Sequence, residues 1–118
     1  MEPGDARDEP RAALPQLRRG VIEYCVLALV RDEPRYGFDL VRSLSAAESL
    51  MTSEGTIYPL LSRLRRDGLV TTTWQESDAG PPRKYYAATS AGTAALERFT
   101  IDWRRFRDSV DSVLGVTS

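Results

Sequence analysis

One stretch limits the folds open to this chain more than any other: residues 69–88, where the pattern turns from helical to extended. Leu69-Val70-Thr71-Thr72-Thr73-Trp74 is rich in β-branched and aromatic residues, which suit a pleated, half-buried surface. Asp78-Ala79-Gly80-Pro81-Pro82 reads as a turn, and Arg83–Ala88 as the returning strand. A lone two-stranded hairpin is marginal in water, so this one must lean on helices. With 118 residues the chain has room for one core and not for two. The expected class is α+β: mainly α with a small β-hairpin.

The helices that must cover the hairpin are legible on either side of it. Residues 16–31 carry two apolar stripes, Leu17, Val21, Tyr24 and Ala28, and Ile22, Val26, Leu29 and Val30. A helix apolar on two sides is deeply buried or shared between subunits. It should stop at Asp32-Glu33-Pro34, because proline disfavours helix in the residue before it. A shorter helix is expected over Tyr36–Ala47, with Leu40, Val41 and Leu44 inward. After a break at residues 46–51, Thr52-Ser53 offers a hydroxyl N-cap for a helix over Ser53–Asp67. Its Ile57, Leu60, Leu61 and Leu64 follow the i, i+3, i+4, i+7 rule, leaving Thr56, Tyr58, Ser62, Arg63 and Arg66 on the other face. Pro59 falls in its second turn, where it removes one backbone bond and is expected to bend the helix. Gly68 should close it as a left-handed cap. Thr89 or Ser90 then caps a last helix, Ser90–Leu114. Residues 1–15, polar and proline-bearing, read as a disordered acidic arm.

Composition removes whole classes of chemistry. There is no histidine and a single cysteine, which excludes most hydrolase triads and most zinc sites. Glycine-rich phosphate loops and clustered carboxylates for a hard cation are also missing. No enzyme, metal or cofactor is expected. Cys25 lies in an apolar run and reads as a small buried hydrophobe; a thiol sensor is the alternative. No apolar run reaches the roughly 18 residues of a membrane span, and the acidic start is unlike a signal peptide, so a cytoplasmic protein is expected. The net charge of −1 comes from 16 Lys and Arg against 17 Asp and Glu. Residues 1–10 hold −3 of it, leaving the rest at +2. Arg63, Arg65 and Arg66 crowd one segment, and Arg83-Lys84 another. Such local sets can bind DNA, because each neutralised phosphate releases counterions.

Helix, helix, helix, hairpin, helix is the order of a winged helix-turn-helix. A helix fits the major groove, where base edges are distinguishable, and a basic hairpin beside it can reach the backbone or minor groove. Thr56, Tyr58 and Ser62 can bond phosphates or bases, and Arg63 or Arg66 could grip guanine. Taken alone, the same residues could be a solvated helix face; the basic hairpin directly after them favours DNA. A winged module used only for protein contacts is the competing reading.

Arg35-Tyr36-Gly37-Phe38, Ser53-Glu54-Gly55-Thr56-Ile57-Tyr58-Pro59-Leu60-Leu61-Ser62-Arg63-Leu64, Asp67-Gly68-Leu69-Val70, Gly80-Pro81-Pro82-Arg83-Lys84-Tyr85-Tyr86 and Thr89-Ser90-Ala91-Gly92 occur in that order. In this set the chain resembles the PadR family of bacterial transcriptional regulators, over about residues 17–114, and specifically its short branch with a single C-terminal helix. The resemblance implies a dimeric repressor that leaves its operator when a ligand binds. It places Tyr36 near phosphates, Ser53, Gly55, Thr56, Tyr58 and Pro59 at the front of the recognition helix, Arg63 one turn later, and Arg83 and Lys84 on the wing. The linker Glu48-Ser49-Leu50-Met51 departs from the family's usual small-residue turn. The expected organisation is an arm at 1–15, a winged domain at 16–89 and a dimerisation helix at 90–118.

A dimer also follows from spacing. Leu96, Phe99, Trp103, Phe106, Val110 and Val113 repeat at 3, 4, 3, 4, 3, the seam of a coiled coil, over fewer heptads than a long coiled coil would show. The stripe could instead cover the chain's own core. The expectation is a homodimer through the N-terminal and C-terminal helices, bringing two reading helices to half-sites one DNA turn apart. Near a twofold axis Trp103 would face its own copy and, with Phe99 and Phe106, could sandwich a planar aromatic effector; short family members use a tryptophan at the corresponding place for multidrug binding. Trp103 could equally be dimer packing alone.

Overall fold

A computed structural model describes residues 20–47, 50 and 52–116. The arm at 1–15, Leu17, and the linker residues Glu48, Ser49 and Met51 lie outside them. Among the described residues the order is α1 (Ile22–Arg31), β1 (Arg35–Tyr36), α2 (Gly37–Ser45), α3 (Glu54–Arg66), β2 (Val70–Gln75), β3 (Arg83–Ala88) and α4 (Ser90–Leu114).

Of the helix expected over residues 16–31, residues 16–19 lie outside the described residues. Gly20 takes φ 85°, a left-handed conformation that a helix cannot contain, so α1 starts at Ile22 behind Val21, which supplies no side-chain cap. Ile22, Val26, Leu27 and Val30 are buried. Tyr24 and Ala28, from the stripe that also holds Val21, are half-buried against the core.

Two-residue β1 is a strand that the sequence does not announce. Arg35 pairs with Tyr86 and Tyr36 with Tyr85, antiparallel, so the hairpin becomes a three-stranded sheet in the order β1-β3-β2. Tyr36, expected to open α2, instead ends this strand, and α2 starts one residue later. The Arg35 Nε donates to the Leu29 carbonyl at 2.7 Å, tying β1 back onto α1.

In α3 the leucine stripe packs as expected, with Ile57, Leu61 and Leu64 buried. The helix runs unbroken through Pro59. The expected hydroxyl cap is absent: Ser53 stands at the N-cap in extended conformation, but its side chain accepts nothing from the first turn. Its hydroxyl instead donates to the Thr56 hydroxyl at 3.5 Å. At the other end Gly68 has φ 78°, the Leu69 N–H reaches the Leu64 carbonyl at 2.9 Å, and the Gly68 N–H reaches Arg65 at 3.0 Å. This pair of bonds is a Schellman cap, satisfying two of the carbonyls a helix end leaves open.

Strand β2 runs Val70–Gln75, one residue beyond the expected span, and pairs with β3 from Val70–Ala88 to Gln75–Arg83. Thr89 then joins three elements. Its hydroxyl accepts from the Gly92 N–H at 3.0 Å and donates to the Gly68 carbonyl at 2.7 Å, while its own N–H bonds Leu69. The core holds α1, α2 and α3 against Val70, Tyr86 and Leu96, and no polar or charged side chain of the described residues is buried. Of α4 only Gly92 and Leu96 are buried.

Candidate nucleic-acid interface

The exposed side of α3 is built by default from its buried one. Ile57, Leu61 and Leu64 face the core, so Gly55, Pro59, Ser62 and Arg66, spaced 4, 3, 4, form the opposite ridge, and all four are exposed. Ser53 and Thr56, also exposed, stand at its N-terminal end. Two expected readers lie on the flanks. Tyr58 leans on the start of α2, where a β-carbon on Gly37 would come within 2.7 Å of its ring and would push the ring aside. Burial pushes the Tyr58 hydroxyl above its usual pKa, helped by the Glu54 carboxylate and by Tyr36 and Tyr86. Tyr86 is raised the same way by burial, opposed by the Arg65 guanidinium. Arg63, on the other flank, is ion-paired: its Nη2 lies 2.7 Å from Glu23 Oε1 in the first turn of α1.

The wing is two-sided. Side chains alternate along a strand, so Arg83 and Lys84 point to opposite faces. The Arg83 guanidinium sits over the Tyr36 ring at 4.8 Å, on the face where Tyr36 and Tyr85 approach at 5.9 Å. The Lys84 ammonium lies over Trp74 at 5.5 Å on the other. Trp74 is 66% exposed and was expected only as a strand residue; its exposure could not be read from a β-rich run. Phe38 and Arg42 on α2 extend the first face, with the Arg42 guanidinium 6.0 Å from the Phe38 ring and Phe38 6.4 Å from Tyr36. No sequence period marked them. The loop beyond the strands is acidic, with Glu76 and Asp78 near Arg83.

The expected ligand residues form a continuous ladder on α4. Phe99 and Trp103 stack at 6.1 Å, and Trp103 meets Phe106 at 6.4 Å. The ladder gains a rung from α1: Tyr24 lies parallel on Phe99, 4.1 Å apart with the planes within 1°. It opens progressively outward, from half-buried Phe99 to Trp103 at 37% and Phe106 at 62% exposed. Burial raises the Cys25 thiol above its ordinary value, which lowers the thiolate fraction and favours the inert-hydrophobe reading over the sensor. No group of three or more metal-binding side chains occurs among the described residues, and none of their helices is long and apolar enough to cross a membrane.

A model of the transcriptional regulator PadR-like family matches residues 26–98. The chain belongs to that family. The match covers the reading helix, the hairpin and the first turns of α4. The transcriptional regulator Rv3488 of Mycobacterium tuberculosis is 35% identical over 100 residues, 85% of this chain and 89% of that protein. Among solved structures, a PadR family transcriptional regulator from Eggerthella lenta superposes with a TM-score of 0.77 at 34% identity, covering 88% of this chain and 90% of that one. A PadR-like transcriptional regulator from Bacillus cereus gives 0.76 at 37%, covering 84% and 96%. The α+β winged architecture with its long C-terminal helix is thus a PadR architecture, and the chain is a PadR-family transcriptional regulator, a family of regulators and not of enzymes.

Proposed function

We propose that this PadR-family regulator is a homodimeric repressor that holds a double-stranded operator and leaves it when a small planar aromatic effector binds. The observation that carries the reading is the open polar ridge of α3 beside a hairpin with a cation on each face. In this reading Gly55, Pro59, Ser62 and Arg66 enter the major groove, with Ser53 and Thr56 at the helix start, and Tyr58 and Tyr36 approach phosphates from the flank. Glycine and proline at the front keep the ridge low, so backbone can come close to the groove floor. Arg83 and Lys84, on opposite faces, suit a hairpin standing edge-on to the duplex, one cation toward each strand's backbone. The acidic Glu76 and Asp78 favour contact through the strands over contact through the loop.

The dimer is supported by the uncovered face of α4. Phe106, Val113 and Leu114 are 62%, 86% and 69% exposed, and a protein seldom leaves such a stripe in water unpartnered. Pairing α4 with a second copy, with α1 alongside, would bring the two Trp103 rungs together around the effector. A gel shift on the DNA upstream of the protein's own gene, repeated with planar aromatic compounds, tests the whole reading. A shifted band that the compounds dissolve is expected, with log Kd rising steeply against log salt. Binding with a flat salt dependence would mark a protein-contact module instead.

A further inference from the structure

Arg63 stands apart from the surface its sequence position suggests. At about 100° per residue it lies about 70° round the helix from the middle of the ridge, on its flank. Its guanidinium is committed to Glu23, a carboxylate only 21% exposed, across a gap of 40 residues in sequence. The next residue on α1, Tyr24, points about 100° away from Glu23 and lies parallel on Phe99. Consecutive residues of one short helix therefore grip the reading helix on one side and the aromatic ladder on the other.

We infer that Arg63 is a positioning residue and not a reader: with Glu23 it clamps α3 to α1, and α1, through Tyr24, ties the reading helix to the ladder on α4. This rests on the proposed reading that α3 holds DNA. The carboxylate is largely covered although the guanidinium is 47% exposed, so the charge-assisted bond between them is only partly screened and keeps its geometry while the ridge engages DNA. A ten-residue helix is stiff on this scale. A shift of Phe99 that slides or turns Tyr24 must carry Glu23 with it, and the guanidinium with Glu23. The angle of α3 to the duplex then follows the state of the ladder, with no residue of the clamp touching either ligand. The alternative is a competition, in which DNA phosphate draws Arg63 away from Glu23. The two differ in sign. Removing the Glu23 charge weakens DNA binding if the pair positions the helix, and strengthens it if Glu23 competes.

The test uses the full chain and a duplex of its own upstream DNA. Glu23→Gln and Arg63→Gln should each weaken binding about fivefold, and the double variant should be no weaker than either single, as for two residues of one contact. The log–log salt slope should stay unchanged in all three, while Arg66→Gln lowers it by about one. Glu23→Gln that tightens binding, or Arg63→Gln that lowers the slope, overturns the positioning role. The tie to the ladder has its own readout. The chain has two tryptophans, Trp74 and Trp103, so Trp74→Phe leaves Trp103 as the sole emitter. Saturating DNA should shift its emission, and adding Glu23→Gln should abolish the shift at equal saturation. A shift that persists, or that never appears, overturns the tie. Absence of salt-dependent binding in the unaltered protein would instead remove the operator reading and the inference with it.

Discussion

Gly92 sits where α4 starts and where the least room is left. A β-carbon added there would fall 3.0 Å from the Leu69 carbonyl carbon and 3.3 Å from Leu27 Cδ2, with the Leu69 carbonyl oxygen nearer still. The first obstacle is backbone, fixed in place by the Schellman cap of α3 and by the Thr89 N–H that bonds that same oxygen at 3.0 Å. No rotamer change can relieve it. Gly92→Ala therefore has to move α4 away from the α3–β2 turn. Overpacking of this kind costs about 1–3 kcal/mol. Displacement also loosens the Gly92 N–H to Thr89 cap, worth about 1 kcal/mol. Against this, alanine is favoured over glycine inside a helix by about 1 kcal/mol. The net destabilisation is about 1–3 kcal/mol, or roughly 4–20 °C in Tm for a chain of this length. Thermal unfolding by circular dichroism at a fixed protomer concentration measures it, since association would make Tm depend on concentration. Gly92→Ala melting at or above the parent temperature would refute the close approach, and with it the seating of α4 on the turn.

Three further outcomes follow from the same geometry. Replacing Arg83 and Lys84 together by alanine should weaken DNA binding and reduce the magnitude of the salt slope by about two, read from binding curves at several ionic strengths; an unchanged slope removes the wing from the interface. Trp103→Ala should abolish the binding of planar dyes measured by calorimetry while leaving the sedimentation of the dimer largely intact; unchanged binding heats would place the effector elsewhere. Stability should fall as pH rises past about 10, the ordinary tyrosine value. The folded hydroxyls of Tyr58 and Tyr86 are raised by burial, so their neutral form is favoured in the fold, and this advantage is complete below the unfolded pKa and lost through the folded one. Tyr86→Phe should flatten that alkaline decline in denaturant titrations; an equally steep decline would assign it to other groups.

Much of the fold was legible because its signals are periodic. The stripe Ile57, Leu61 and Leu64 placed α3, Gly68 placed its end, and Thr89 placed the start of α4, each through local chemistry that needs no partner. What was not legible depends on contacts between distant elements. Strand β1 has two residues and no period, and exists only because Arg35 and Tyr36 find Tyr86 and Tyr85. Ser53 looks like a hydroxyl cap, yet its hydroxyl turns to Thr56. At the candidate site, sequence correctly put Tyr58 and Arg63 off the leucine stripe. What each meets on its flank, Gly37 and Glu23, lies far away in sequence. Arg83 and Lys84 read as one basic patch, although strand alternation alone parts them.

The two halves of α4 obey different physics. Up to Leu96 the helix is anchored by the Thr89 cap, the seat at Gly92 and the core. Beyond Phe99 no described residue is buried, so residues 100–114 extend the helix without core packing of their own, on the nucleus already formed by its first turns. On the proposed dimer the same segment of a second copy would add the cover that residues 100–114 lack. Effector binding at Trp103 would act on the least self-sufficient part of the chain, where a small free energy moves the structure most. The Tyr24–Phe99 stack marks the boundary between the two halves. It is the last rung held by the winged domain, and so the point at which a change in the outer helix becomes a change in the inner one.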